Sequence, residues 1–295
     1  MSRDTTRRRV LGGGAAAALT AIAGCVGATP FVGQRLEESE TLAADDVDRV
    51  SIETRSGGVT VRPSDRDDIH VDIVKQSSSV TADVSNLAFR TERDDGHLRM
   101  FPEWTGRDPI FGDRPGMELD VTLPPDVAVE RIDGSVGSVD VAGTAGDLTI
   151  STSTGSIDVR NVDGDVDASS STGAIDIAQV TGSVAASATT GSVTVRDPGR
   201  LGDVSTSTGS IDVQVPALDN DVRLRATTGS VTAALATDLD ADLHVTTSTG
   251  SIAVEDLDVQ TEIRGSDAFV GTLNDGGPSL RIETSTGSVR LERLA

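Results

Sequence analysis

Cys25 is the only thiol in a chain of 295 residues, and its setting gives it one chemistry. It closes Ile22-Ala23-Gly24-Cys25, which has the form of a lipobox, where the thiol takes a lipid and the cysteine becomes the mature N-terminus. The other recurrent reactive group is an aspartate between two apolar strand residues, as in Ile157-Asp158-Val159. Asp140, Asp158 and Asp176 follow one another at 18-residue steps, so stacked copies would form a ladder of like charges, unfavourable without counterions. Such a ladder is either a row of cation sites or an acidic face solvated by screening salt. The second reading is favoured, because no calcium loop is complete. In Asp163-Gly164-Asp165-Val166-Asp167, Ala168 stands where a sharp-turn glycine belongs and Ala174 where a bidentate glutamate belongs. Asp238-Leu239-Asp240-Ala241-Asp242 is equally incomplete, so neither a metal site nor a cofactor is expected.

Carboxylate catalysis is weighed next. Asp158 or Asp176 with Arg160 or Arg196 could serve a polysaccharide-cleaving β-helix, since stacked carboxyls fall near the roughly 5 Å a retaining glycosidase uses. Repetition argues against this, because a catalytic site is normally a singular departure from a repeat. His70, His97 and His244 are scattered, and no Gly-x-Ser-x-Gly elbow supports a serine nucleophile. The chain is therefore expected not to be an enzyme. Rows of hydroxyls remain: Thr154, Thr172, Thr190 and Thr208 before a turn glycine, and Ser156, Ser192, Ser210 and Ser230 after one. They read first as caps of the turn backbone. A flat hydroxyl array that binds glycans or ice is the alternative.

The elements that must position these groups begin with an address. Met1–Arg9 is a positively charged segment and Leu11–Ala23 an apolar one too short to span a bilayer, together a signal peptide over 1–24. Thr6-Arg7-Arg8-Arg9-Val10-Leu11 has the form of a twin-arginine motif, with Arg7 and Arg8 as the export signal. Residues 25–48 read as a flexible acidic tether. The expected location is extracytoplasmic, on the outer face of the cell membrane, held there by the lipid on Cys25. A single chain holds only marginally, so a two-chain lipid is implied.

Composition narrows the partners. Forty-seven acidic against 25 basic side chains give a net charge of -22, and loss of residues 1–24, with four Arg and one Asp, makes it -25. A phosphate backbone would be repelled by this field, so nucleic acid is excluded as a partner. One cysteine excludes a disulfide framework and a Cys-based zinc site. Lys75 is the only lysine, and such an Asp-rich, Lys-poor surface fits a protein kept dispersed in concentrated salt, with solvent cations along its acidic face.

From about Gly137 the chain repeats itself. Ser153-Thr154-Gly155-Ser156-Ile157-Asp158-Val159 recurs at Ser171–Ile177 and Ser207–Val213, and Gly137, Gly155, Gly173, Gly191 and Gly209 are evenly spaced by 18. Gly229, Gly250 and Gly287 continue the series at longer steps, and a degenerate copy near Gly271 is expected to fill the last gap. Apolar residues two apart on each side of the Thr-Gly turn, such as Leu148 and Ile150 before it and Ile157 and Val159 after it, make two short strands per repeat. An antiparallel meander could use them, but a constant period is better explained by coiling. The fold expected is all-β: a parallel β-solenoid, right-handed, with about 18 residues per coil. Val50, Ile52, Gly57, Val59 and Val61 fit the same template, so the domain runs over 49–295, with an irregular β-rich part over 63–132 and regular repeats over 133–295. Phe101, Trp104 and Phe111 fall in a Pro/Gly-rich stretch from Phe101 to Gly116. They either cap the open end of the solenoid, the favoured reading, or form a partner-binding loop.

Ser56-Gly57-Gly58-Val59-Thr60-Val61, Leu119-Asp120-Val121-Thr122-Leu123-Pro124-Pro125 and the Thr-Gly-Ser-Ile copies resemble a bacterial and archaeal domain-of-unknown-function family of candidate adhesins. The resemblance implies an extracytoplasmic β-solenoid with no catalytic residues to carry over. Joined to the twin-arginine lipoprotein signal and the acidic surface, it looks like a haloarchaeal cell-surface protein. The expected function is a non-catalytic surface interaction or adhesion module that meets a surface glycan or an envelope protein. An envelope scaffold or sensor domain is the alternative, and a polysaccharide-active enzyme stands third.

Overall fold

The computed structural model describes residues 33–79, 82–107 and 114–294. Each repeat bends at its glycine. Ile157 and Val159 are buried on one side of their strand, while Asp158 between them faces outward. That alternation is what a strand with one covered face requires. The described strands join in a single, mostly parallel sheet, folded at the glycine bends into two ladders that enclose the core. In one ladder Val139, Ile157, Ile175, Val193 and Ile211 lie in register at steps of 18 residues. In the other, Ile132, Ile150, Ala168 and Ala186 do the same. All of these side chains are buried, so identical positions form continuous apolar columns of Val, Ile, Leu and Ala. Each buried Val, Ile or Leu contributes roughly 1.5–3 kcal/mol of transfer free energy, which explains a core with few aromatics.

The ends depart from sequential coiling. The N-terminal strands are β1 (Gln34–Ala43), β2 (Arg49–Ser56), β3 (Val59–Pro63), β4 (Asp68–Ser77), β5 (Leu87–Asp94), β6 (His97–Trp104), β7 (Gly116–Leu123), β8 (Ala128–Val136) and β9 (Val139–Ala145). β2 lies between β6 and β8, and β3 between β7 and β9, all parallel. The first coil in sequence is thus the second in space. The far end mirrors this device, since Ser279–Thr286 and Val289–Arg293 sit between the coil of Val222–Leu235 and that of Ala241–Val254. Antiparallel strands finish the N-terminal end: β4 on β7, β1 on β4, and β5 on β6. Their outer edges carry Arg35, Glu37, Arg90, Glu92, Arg93 and Asp94, charges that discourage pairing with another chain.

Three expectations are corrected. The stretch expected as a tether over 25–48 contributes β1, a ten-residue strand held along its length by β4. Gly271 does not continue the repeat. Its strand, Ala268–Leu273, runs antiparallel to Ala241–Thr249 and ends that ladder together with Val259–Arg264. Phe101 and Trp104 lie within β6, not in a loop. In each case pairing with a distant strand outweighs local composition.

Candidate functional site

The aspartate ladder is real, and the protein supplies part of its own counter-charge. Asp140, Asp158 and Asp176 are in register on the outer face. Arg160, flanked in its own column by Ala142 and Ala178, reaches Asp158 at 2.6 Å, while Arg196 reaches Asp212 at 3.3 Å and Arg62 reaches Asp120 at 3.6 Å. Burial holds the Asp158 carboxyl above the usual carboxylate range, Arg160 pulls it down, and Asp140 and Asp176 push it up again. A raised carboxyl contributes stability that is fully present below its unfolded pKa, near 3.9, and lost as pH rises through the folded value. At pH 7 the charged form is therefore a net cost. Asp158→Asn is expected to raise stability at pH 7 in low salt by up to about 1 kcal/mol, with the gain vanishing at pH 3. Thermal melting at both pH values measures it, and an unchanged or lower midpoint at pH 7 contradicts the ladder repulsion.

The acidic motifs read against calcium loops have structural work. Asp147 Oδ1 accepts from the Asp165 backbone N–H at 3.0 Å, and Asp165 Oδ1 from that of Ser183 at 2.7 Å, one coil further on. Asp203 and Asp221 repeat the device toward Arg223 and Ser279. Among the described residues no group of three His, Cys, Asp or Glu is placed to hold a metal ion. Among the turn hydroxyls, Ser192 Oγ accepts from the Ser210 backbone N–H at 3.3 Å and so links one coil to the next. Thr154 and Ser156 are exposed. Buried capping falls to the residue three before the glycine, as Thr206, Thr247 and Thr284 donate at 2.9 Å to the carbonyls of Gly191, Gly287 and Gly229. The spacing of the repeat gave no signal of this, because the hydroxyl bonds across coils and not within one.

A cavity lies around Trp104. A cleft of about 710 Å³ opens between the ends of β6, β2 and β8, lined by Phe101, Pro102 and Trp104, by Thr54 and Arg55, and by Gly134, Ser135 and Ser151. An apolar recess of about 460 Å³ adjoins it, floored by Leu87, Pro102, Trp104, Pro115, Met117 and Val136, with Arg55 and Arg114 at its edge. Val136, at the edge of this recess, is 51 % exposed. The indole Nε1 of Trp104 is buried and has no hydrogen-bond partner, a group that normally finds one. Gly106 lets the chain pass close over the ring, since a Cβ there would lie 2.7 Å from Trp104 Cζ2. Arg99 stacks 4.5 Å from the Phe101 ring centroid. The carboxylates of the cleft are each held by an arginine: Glu53 by Arg99 at 2.7 Å, Glu103 by Arg90 at 2.7 Å, and Asp133 by Arg131 at 2.5 Å.

Of the residues singled out from sequence, Phe101 and Trp104 meet in this cleft. Phe111, Cys25, Arg7 and Arg8 lie outside the described residues. Sequence reasoning missed Val136, Met117 and Arg55, which reach the cleft only because β2 is inserted between β6 and β8. The histidines stay apart: His97 Nε2 lies 2.7 Å from Ser51 Oγ, and His70 pairs with Asp72 at 3.3 Å.

The family described as Toastrack DUF4097 matches residues 47–292. Among solved structures, a candidate lipid-binding protein from Parabacteroides distasonis is similar at 16 % identity and a TM-score of 0.50, over 86 % of this chain and 96 % of that one. A candidate adhesin from Bacteroides fragilis is 12 % identical with a TM-score of 0.42, over 88 % and 97 %. Another from Parabacteroides merdae is 14 % identical with a TM-score of 0.42, over 86 % and 95 %. At 16 % identity the first of these shares the fold and nothing finer is inferred from it. No curated protein matches the chain.

Proposed function

The chain belongs to the Toastrack DUF4097 family, and on that premise we propose that it is a non-catalytic interaction module, held at the outer face of the cell membrane by a lipid on Cys25, that captures a partner in the cleft beside Trp104. Membership agrees with the resemblance read from Ser56–Val61 and the Thr-Gly-Ser-Ile copies. The observation that carries the proposal is the buried, unpaired indole N–H of Trp104 beside an open apolar recess. A partner that accepts this hydrogen bond and covers Val136 gains both terms at once. No helix among the described residues is long and apolar enough to cross a membrane, and the lipobox and twin-arginine motif support anchorage and export of the folded chain. The Asp-rich surface supports a salt-adapted, haloarchaeal-type setting. The coil is taken as right-handed with about 18 residues per turn, since right-twisted parallel strands connect that way.

Two outcomes test this reading. Cys25→Ser is expected to release most of the protein from washed membranes into the medium, and full retention contradicts the lipid anchor. In a deletion strain, Trp104→Ala is expected to restore a folded, anchored protein that fails to restore surface and cell-cell attachment. Attachment equal to wild type removes the cleft from the function. The same apolar recess would suit a side chain of a neighbouring envelope protein, which keeps the scaffold or sensor role as the second reading.

A further inference from the structure

We propose that the Trp104 cleft and the serine rows beyond it form one track for a neutral glycan chain lying along the solenoid axis. This deepens the interaction reading and rests on it. Ser151 belongs both to the cleft and to a shallow groove of about 390 Å³ that continues from it. Along that groove Ser151, Ser169, Ser187 and Ser205 stand in register on four successive coils. Ser153, Ser171, Thr189 and Ser207 run beside them, and of all the groove-lining residues only Ala188 lacks a hydroxyl.

The column itself shows the groove to be distinct. Toward the N-terminal end its outward positions are Glu53 and Asp133, and beyond Ser205 they are Arg225 and Glu283. Four uncharged rungs thus interrupt a charged column in a chain of net charge -22. Among the described residues Ser151, Ser187 and Ser205 spend their hydroxyls on no protein group. Thr152, 4 % exposed, lines the groove and its Oγ1 has no partner, as does Trp104 Nε1 at the head of the track.

These features select a ligand chemistry. A hydroxyl both donates and accepts, so rows of them about 4.8 Å apart match a chain that repeats hydroxyls of its own. An aromatic ring at one end supplies an apolar face for a sugar ring. An acidic polymer would meet arginines only in the cleft, at Arg55, Arg99 and Arg114, and along the serine groove would face the net negative field with no lining cation to offset it. A peptide would find the apolar recess but gain little from the serine rows.

Affinity electrophoresis of the purified full-length chain in gels containing dextran, mannan or hydroxyethylcellulose, with alginate as the acidic counterpart, tests the assignment. Retardation by at least one neutral polymer and not by alginate is expected. Trp104→Ala should weaken it by about tenfold or more, as for an interface anchor. The exposed pair Ser171→Ala/Ser187→Ala should weaken it by about threefold with an unchanged melting midpoint, which separates binding from folding. Retardation by none of the neutral polymers, or retardation unaffected by the serine pair, overturns the track. If attachment of cells still depends on Trp104 in that case, the interaction reading stands and the occupant is a protein.

Discussion

Replacing Gly173 by alanine is expected to destabilise the protein by more than about 4 kcal/mol, enough to leave little folded chain at 37 °C in low salt. Gly173 has φ +151°, a region open in practice only to glycine, which by itself costs an L-residue about 1–3 kcal/mol. The added Cβ would also fall inside the van der Waals shell of the Gly155 carbonyl and about 3.0 Å from the Ser156 nitrogen. Those atoms belong to the preceding coil, so relief requires the coils to part. Parting weakens the bonds that Gly155 and Ile157 donate to Thr172 and Ala174, at 2.8 and 2.9 Å. The same crowding recurs at Gly155, Gly191, Gly209 and Gly229, each against the glycine one coil before. Gly134→Ala provides the control. A Cβ there makes ordinary contacts with Thr152 Oγ1 and Thr54 Oγ1, at 3.5 and 3.6 Å, and with Thr152 Cβ at 3.8 Å, and the change is expected to stay within about 1 kcal/mol. Urea midpoints of the two variants measure the contrast, and equal midpoints would falsify the stacked-glycine account.

Lys75→Met is expected to cost about 2–3 kcal/mol at pH 7, less than for a fully buried ion pair because Glu38 keeps 26 % of its side chain exposed. Lys75 is 4 % exposed, and its ammonium lies 2.5 Å from Glu38 on β1. Glu40, on the same strand, has its carboxyl raised by burial first and by Glu38 next, with Lys75 pulling it down. Without the ammonium that lowering cause is gone, and two carboxylates share a covered site with no cation. The sign follows from linkage. A raised carboxyl keeps its stabilising contribution below its unfolded pKa, near 4.3, and loses it as pH rises through the folded value. The deficit of the variant should therefore shrink as pH falls from 7 toward 4. Adding Glu38→Gln should recover a large part of it at pH 7, because it leaves a neutral group opposite methionine. A deficit that is flat with pH, or a double variant no more stable than the single, contradicts the pairing. Protease cleavage near β1 should rise in the same order as the loss of stability, since among the described strands β1 forms its ladder with β4 alone.

Much of the regular part was legible because it is local and periodic. The positions of Ile157 and Val159 around Asp158 follow from the two-residue alternation of any strand with one covered face. The glycines at 18-residue steps announce stacked coils before any contact is known. What periodicity could not show is which coil stacks on which. Gly250 sits against Gly287 and not against Gly229, and Gly271 belongs to an antiparallel strand. Their local sequences resemble the other copies, and only distant pairing distinguishes them. β1 was hidden for the same reason: its strand character is set by the whole length of β4, while its own composition is acidic and polar.

The candidate site divides along the same line. Composition and short spacing alone determined the acidic charge and the aromatic cluster that includes Phe101 and Trp104, and they are the whole support for the proposed lipid on Cys25 and export signal at Arg7 and Arg8. The cleft itself was decided by tertiary structure. Arg55 and Val136 come to the side of Trp104 because β2 and β3 are inserted between β6 and β7 on one side and β8 and β9 on the other. The serine rows become one continuous groove only when four coils lie in register. A hydrophobic pattern fixes which face of a strand is buried. The neighbours of that strand are chosen by the summed burial and hydrogen bonding of whole coils, a quantity that no window of sequence contains.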